Sequence, residues 1–368
     1  METRDGRVKA FSRWLLAAAA VVIIIAGMRA ASDIIVLFLL ALSIAIICLP
    51  LLAWLHRVHV PTTIAVAILI VIIIIAILGI GAIIGNSVRQ IVHDLPTYQS
   101  HFQHILQETM QFAHKLGWNG SVKSLRHQIN MGNASGLLTG FIKGFGGVVG
   151  DVFLIMLTLV FLLFEASAVP RKVASMSKKD QRHGSLEIFS SFVDSVQHYV
   201  FLKTVISLML GVLVGLVLWG VGVRYALLWA LLAFLLNFIP NIGAFLSAIP
   251  PVLLALLQGG WPMFGYAAGS LFVIHFATGN ILEPVLFGER LGLSTLVVWV
   301  SLIVWGWVLG PIGMLLSVPL TMIIRIGFDT YPETRWLAVM LGPAPRPENE
   351  NRLFVRLRRK VFGASPHE

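Results

Sequence analysis

Residues 225–282 read YALLWALLAFLLNFIPNIGAFLSAIPPVLLALLQGGWPMFGYAAGSLFVIHFATGNIL, without a single Asp, Glu, Lys or Arg. A bilayer crossing takes about 20 such residues. The run is too long for two ordinary helices and a loop unless part of it folds as a hairpin. A second uncharged run, 291–324, is too long for one helix and is broken at Gly310-Pro311. Both belong to a chain of 368 residues that is 57% hydrophobic and only 12% charged, with mean hydropathy +0.88. Soluble domains carry about 25% charged residues. Too little polar surface remains to cover a soluble core, and a disordered or collagen-like chain is excluded as well. The fold class is all-α, in a polytopic membrane protein.

Outward from this region, further apolar runs occupy 14–28, 34–55, 63–84, 145–164 and 205–221. The first follows Arg4, Arg7, Lys9 and Arg13. With no small-x-small cleavage site before Asp33, it reads as an uncleaved helix rather than a signal peptide. The sequence divides into three N-terminal spans (1–85), a polar segment (86–140), a fourth span (141–164), a basic segment (165–203), a membrane core (204–326) and a basic tail (327–368). In the polar segment Ile91, Leu95, Tyr98, Phe102, Ile105, Leu106 and Met110 recur at helical spacing. That pattern predicts amphipathic helices lying on the membrane or on a partner subunit, and so an oligomer interface. The same spacing links Leu186, Phe189, Val193, Val196 and Val200 ahead of the fifth span.

The net charge of +10 comes from short basic segments flanking apolar runs, which reads as topology and anionic-lipid contact rather than nucleic-acid binding. The basic N-terminus, Arg57, the 165–203 segment and the tail fall on one side if the chain starts and ends in the cytoplasm. Residues 86–140 then face outside. The single cysteine, Cys48, permits no intrachain disulfide.

A short repeat joins the two uncharged runs. Asn241-Ile242-Gly243-Ala244-Phe245-Leu246-Ser247 aligns with Pro311-Ile312-Gly313-Met314-Leu315-Leu316-Ser317, and Pro250 and Pro319 follow. Each unit reads as an apolar half-helix, a Pro/Gly break and a second half-helix. Backbone freed at such a break must be satisfied within protein or by water in a cavity, and paired interrupted helices point to a transporter's substrate site. If both units are re-entrant, the chain makes about six full spans plus two oppositely facing hairpins. If each unit spans twice, the count is ten.

At these residues the sequence resembles the AI-2E family of bacterial transporters. The resemblance rests on Phe238-Ile239-Pro240-Asn241-Ile242-Gly243 with Ile249-Pro250, on Asn280-Ile281-Leu282-Glu283-Pro284 with Gly288 and Leu291-Gly292-Leu293-Ser294, and on residues 310–320. It implies an oligomeric transporter of the bacterial inner membrane. Members of the family are linked to export of autoinducer-2 or to sodium/proton exchange, so the resemblance leaves the solute open.

Glu283 is the first acidic residue after the long uncharged run and precedes Pro284, which disfavours helix at Glu283 itself. It reads as a proton or cation site or as an interfacial carboxylate beside Glu289 and Arg290. Asn237, Asn241 and Asn280 offer amides to a hydroxyl-rich solute or a cation, or to neighbouring helices. Ser247 and Ser317 lie four residues past the repeat glycines, where their hydroxyls reach backbone carbonyls. His275 offers a proton relay or a neutral core contact. With Pro240, Gly243, Pro250, Pro284, Gly310, Pro311, Gly313 and Pro319, these residues make up the expected path.

No metal site is expected, because His101, His104 and His114 lack accompanying Cys or a carboxylate set. Nor is a cofactor or an enzyme expected, since no zinc-protease, nucleotide-loop or hydrolase-elbow motif occurs. The leading expectation is a permease exporting a small polar solute such as autoinducer-2. Monovalent cation/proton antiport and a non-transporting membrane scaffold are the alternatives.

Overall fold

The computed structural model describes residues 15–16, 19–115, 151–165, 183–287, 292–330 and 332–343. The basic residues of the N-terminus and those of the tail beyond 343, the side chains of Met110, His114, Leu186, Phe189 and Val193, the basic cluster at 171–182, and Gly288, Glu289, Arg290 and Leu291 lie outside the described residues. Among those described, regular structure is helical: α1 (Ala19–Ala30), α2 (Ser32–Arg57), α3 (Thr62–Lys115), α4 (151–165), α5 (His183–Val221), α6 (Ala226–Leu236), α7 (Ile242–Ala277), α8 (Glu283–Phe287), α9 (Thr295–Leu315), α10 (Ser317–Thr330) and α11 (Arg335–Leu341). A π-helical turn, Thr278–Leu282, joins α7 to α8. Five of the described helices are long and apolar enough to cross a membrane.

Three of the helices pack by a simple rule of spacing. On α2, Ala41, Ala45, Cys48, Leu52 and Leu55 recur three or four apart and bury against Ala65, Val66 and Leu69 of α3 and Ile155, Leu159 and Leu163 of α4. Small residues at 41 and 45 let these helices approach closely without a water-driven hydrophobic term.

Helix α3 does not end where its apolar part ends. At about 1.5 Å per residue its 54 residues extend for about 80 Å, far beyond a hydrocarbon core of about 30 Å. Its first charged residue is Arg89. The expected amphipathic segment thus begins as an unbroken continuation of the third span, with Pro96 accommodated inside the helix. Ile84, Val88, Ile91 and Tyr98 keep the helical spacing and pack on a core formed with Leu210 and Val214 of α5, Trp229 of α6 and Leu254 of α7.

Helix α5 is the central element. Its buried stripe runs Val196, Val200, Lys203, Ser207, Leu210, Val214 and Leu218. The 11-residue α6 folds back on it, too short at about 16 Å to cross. Close contact depends on Gly211 and Gly215, where an added Cβ would come within 2.8 Å of the Ala230 carbonyl and of Ala230 Cβ respectively.

Both repeat units contain the expected break. In the first, α6 stops at Asn237 and α7 starts after Asn241, whose φ of +60° an Asn tolerates better than most residues. In the second, Gly310 (φ +68°, ψ −154°) interrupts α9 just before Pro311. The units share finer geometry. A Cβ on Gly243 would overlap the Leu236 carbonyl and one on Gly313 the Trp305 carbonyl, so each glycine lets one arm press on the last turns of the other. Ser247 then donates to the Ala244 carbonyl (3.0 Å) and Ser317 to the Met314 carbonyl (2.8 Å). A further break inside α7, at Gly259-Gly260 (φ +65° at Gly260) before Trp261-Pro262, divides it into two arms.

One local expectation is corrected. Glu283 is helical (φ −60°, ψ −50°) although Pro284 follows it. The π turn just before it is wider than an α turn, which eases the clash between the proline ring and the preceding carbonyls.

Candidate functional site

The π turn delivers Glu283 to α5. Two side chains one turn apart on α8, Glu283 and Phe287, meet two one turn apart on α5, Lys203 and Tyr199. The rings of Tyr199 and Phe287 stack at 5.4 Å, and Lys203 Nζ donates to Glu283 Oε1 at 2.5 Å. The lysine side chain is 5% exposed and the glutamate 26%. A buried ammonium without a carboxylate would be strongly disfavoured, so the pair holds the end of α8 to α5.

Beside the pair lies a cavity of about 460 Å³, enclosed by α5, the α6–α7 break, both arms of α7 and the π turn. Its polar lining comprises Lys203, Asn237, Asn241, His275, Thr278, Asn280 and Glu283. Asn237 is buried and its Nδ2 donates to Ser207 Oγ at 2.9 Å, leaving the amide oxygen as an acceptor. Asn280 Nδ2 donates to the Phe276 carbonyl at 3.2 Å. His275 Nε2 lies 3.4 Å from Ser247 Oγ on the other arm of α7. The rest of the wall is apolar and includes Phe245, Ile249 and Phe272, each more than half exposed on the outer face of the bundle. The arrangement combines a charged pair, several amides and an imidazole at one end of an apolar hollow.

Asn237, Asn241, Asn280, Glu283 and His275 thus come together, with Pro240 and Gly243 shaping the break beneath them and Ser247 touching His275. Pro250 lies within the first arm of α7, and Pro284 is exposed on the outer side of α8. The residues of the second unit sit elsewhere. Gly310, Pro311, Gly313, Ser317 and Pro319 belong to the α9–α10 hairpin, whose Trp305 Nε1 donates to Thr321 Oγ1 at 3.0 Å. That hairpin packs on α1 and α2 through Ile25, Met28, Val36 and Leu39. Val318 and Met322 of α10 contact the Val196–Val200–Ile206 face of α5, which surrounds Lys203.

Lys203 is the functional candidate that the sequence reading passed over. It sat at the end of a basic segment, yet it falls on the helical stripe Val196, Val200, Ser207, Leu210. A lysine on a stripe that is otherwise buried calls for an anionic partner, and that phase is the signal that would have found it.

Comparison with known proteins agrees with this architecture. The family model described as AI-2E family transporter matches residues 18–333. The chain is 40% identical over 316 residues to the AI-2 transport protein TqsA of Escherichia coli (strain K12), covering 86% of this chain and 91% of that protein. It is 39% identical over 324 residues to YhhT of the same strain, covering 88% and 92%. To YrrI of Bacillus subtilis (strain 168) it is 26% identical over 302 residues, covering 78% and 84%. With multiple apolar helices, two broken hairpins and a family match over most of its length, this chain is a multi-pass membrane protein and belongs to the AI-2E transporter family.

Proposed function

We propose that the protein moves a small polar solute out of a bacterial cell across the inner membrane, through the cavity beside Lys203 and Glu283, with both chain ends in the cytoplasm. The observation that carries this reading is the clustering of Asn237, Asn241, His275, Asn280, Lys203 and Glu283 around the break between α6 and α7. Hydroxyls of a solute such as autoinducer-2, which the name of TqsA suggests, would exchange hydrogen bonds with the amides and with either member of the charged pair. The solute can thereby shed water without leaving polar groups unpaired. In this scheme the second unit supports the path by fixing α5, and transport runs down a gradient or is coupled to one.

A second reading has its own observation. A carboxylate held by a buried ammonium is the arrangement in which a cation or proton can compete with lysine, so Glu283 also suits cation/proton antiport. The scaffold reading instead requires the breaks to be dispensable. Sealed liposomes test all three. Efflux of entrapped autoinducer-2 that is lost in Glu283→Gln and Lys203→Met supports solute export. Proton flux driven by Na⁺, K⁺ or Li⁺ gradients, lost in the same variants, supports antiport. Inserted protein with neither flux overturns both transport readings.

A further inference from the structure

Two hollows at one end of the bundle adjoin each other and differ in chemistry. One is an apolar trough of about 520 Å³, walled by Ile83 of α3, by Leu208, Leu216 and Trp219 of α5 and by Leu227 and Phe234 of α6. The other, of about 630 Å³, is lined by Arg89, Gln90, His93, Asp94, Arg224 and Tyr225. Gln90 lies seven residues, about two turns, beyond Ile83 on the same face of α3 and about 10 Å along its axis, with Arg89 next to it in the polar hollow. On the other wall Tyr225 lines the polar hollow and its neighbour Ala226 lines the trough. Both walls therefore continue from one hollow into the other, at the level where α3 acquires its first charge.

We infer that this combined groove holds one membrane phospholipid, with an acyl chain in the α5–α6 trough and the phosphodiester between Arg89 and Arg224. The charge count fits. Asp94 Oδ2 accepts from Arg224 Nη1 at 2.6 Å and from the Tyr225 hydroxyl at 2.7 Å, and its Oδ1 lies 3.4 Å from His93 Nδ1. One carboxylate against two guanidiniums leaves a single positive charge, matched to the single negative charge of a phosphodiester. Asp94 and Tyr98 both bond the Arg224 guanidinium, and its remaining donors can serve phosphate oxygens. Trp219, 76% exposed, stands on the trough wall near the polar end, where an indole suits the membrane interface. Nothing in the solute cavity takes part, so the lipid would act as a fixed component of the α3–α5–α6 contact.

The full-length protein, purified with phosphatidylglycerol and released from micelles into a native mass spectrometer, provides the test. One retained phosphatidylglycerol per chain is expected. Arg89→Gln, which leaves the Asp94–Arg224–Tyr225 contacts intact, lowers retention about tenfold, the loss of roughly one charge-assisted contact. Leu227→Trp, from a position 63% exposed, fills the trough and lowers retention with an unchanged melting temperature. Equal retention in wild type and both variants overturns the proposal. Displacement of the lipid by inorganic phosphate would make the arginines a free-anion site and overturn it too. So would a second copy of the chain, bound without lipid and lost on Leu227→Trp.

Discussion

Glu283→Gln strands the Lys203 ammonium, and its consequence for stability follows from the geometry. At 2.5 Å and an effective dielectric of about 20, the gross attraction between the two charges is about 7 kcal/mol, and desolvation of both ions cancels most of it. The pair as a whole is therefore close to neutral, whereas removal of one member is not. Lys203, 5% exposed, meets water only where it lines the cavity, so Glu283→Gln costs about 3–5 kcal/mol. Glu283, 26% exposed and facing the cavity, recovers part of its hydration when alone. Lys203→Met therefore costs less, about 1–2 kcal/mol. The double variant Lys203→Met/Glu283→Gln returns to within about 1 kcal/mol of wild type, giving a coupling energy of at least about 3 kcal/mol. Equilibrium unfolding of the four proteins in mixed micelles measures each term. Additive single effects, or a larger loss from Lys203→Met than from Glu283→Gln, would refute the reasoning.

Glycines at the breaks and in the long helix should behave oppositely. Gly243→Ala and Gly313→Ala drive a methyl into a backbone carbonyl and lower stability by about 2 kcal/mol or more, whereas Gly81→Ala and Gly85→Ala, with open space around them, are neutral or stabilising by up to about 1 kcal/mol in thermal unfolding. Thr321→Val leaves the Trp305 indole N–H buried without its partner and costs about 1–3 kcal/mol, read in the same assay. At the polar end of α3, beyond its uncharged part, the Tyr225 hydroxyl, with smaller help from His93 and Arg224, holds the Asp94 carboxylate below its ordinary range. A depressed carboxylate stabilises the fold above its unfolded pKa and ceases to do so as pH falls through the folded value. The melting-temperature advantage of wild type over Asp94→Asn is thus complete at neutral pH and shrinks below about pH 4.

Much of the architecture was legible because membrane helices declare themselves by length and apolarity, and breaks by Gly and Pro. The repeat proved readable to the level of single contacts: Gly243 and Gly313 press on carbonyls, and Ser247 and Ser317 bond three residues back. Asn237, Asn241, Asn280 and Glu283 could be singled out because polar groups in apolar runs are costly. What was hidden depended on which helix lies beside which. Lys203 meets Glu283 across 80 positions of sequence, and nothing local to either residue names the other. The helicity of Glu283 was hidden for a different reason, since the proline rule assumes an α turn and the chain supplies a π turn.

That hidden pairing also explains how one repeated motif comes to do two jobs. The same Gly-plus-Ser turn folds each hairpin, and its neighbours decide what the hairpin serves. Around the first break stand Ser207, His275 and the π turn, whose polar groups keep a hollow open beside Asn237. Around the second stand Trp305, Val308 and Leu309 against apolar side chains of α1 and α2, with the Trp305 indole bonded to Thr321. Yet the second hairpin reaches the site indirectly, because Val318 and Met322 pack on the face of α5 that carries Tyr199 and Val200. A shift of α10 would move Lys203 relative to Glu283 and so reshape the cavity, although none of the described lining residues comes from α10. The packed α5–α10 contact offers a physical carrier for coupling between the two units, and trimming it with Met322→Ala should weaken the Lys203–Glu283 coupling energy. An unchanged coupling in that background would show that α5 is held in place from elsewhere.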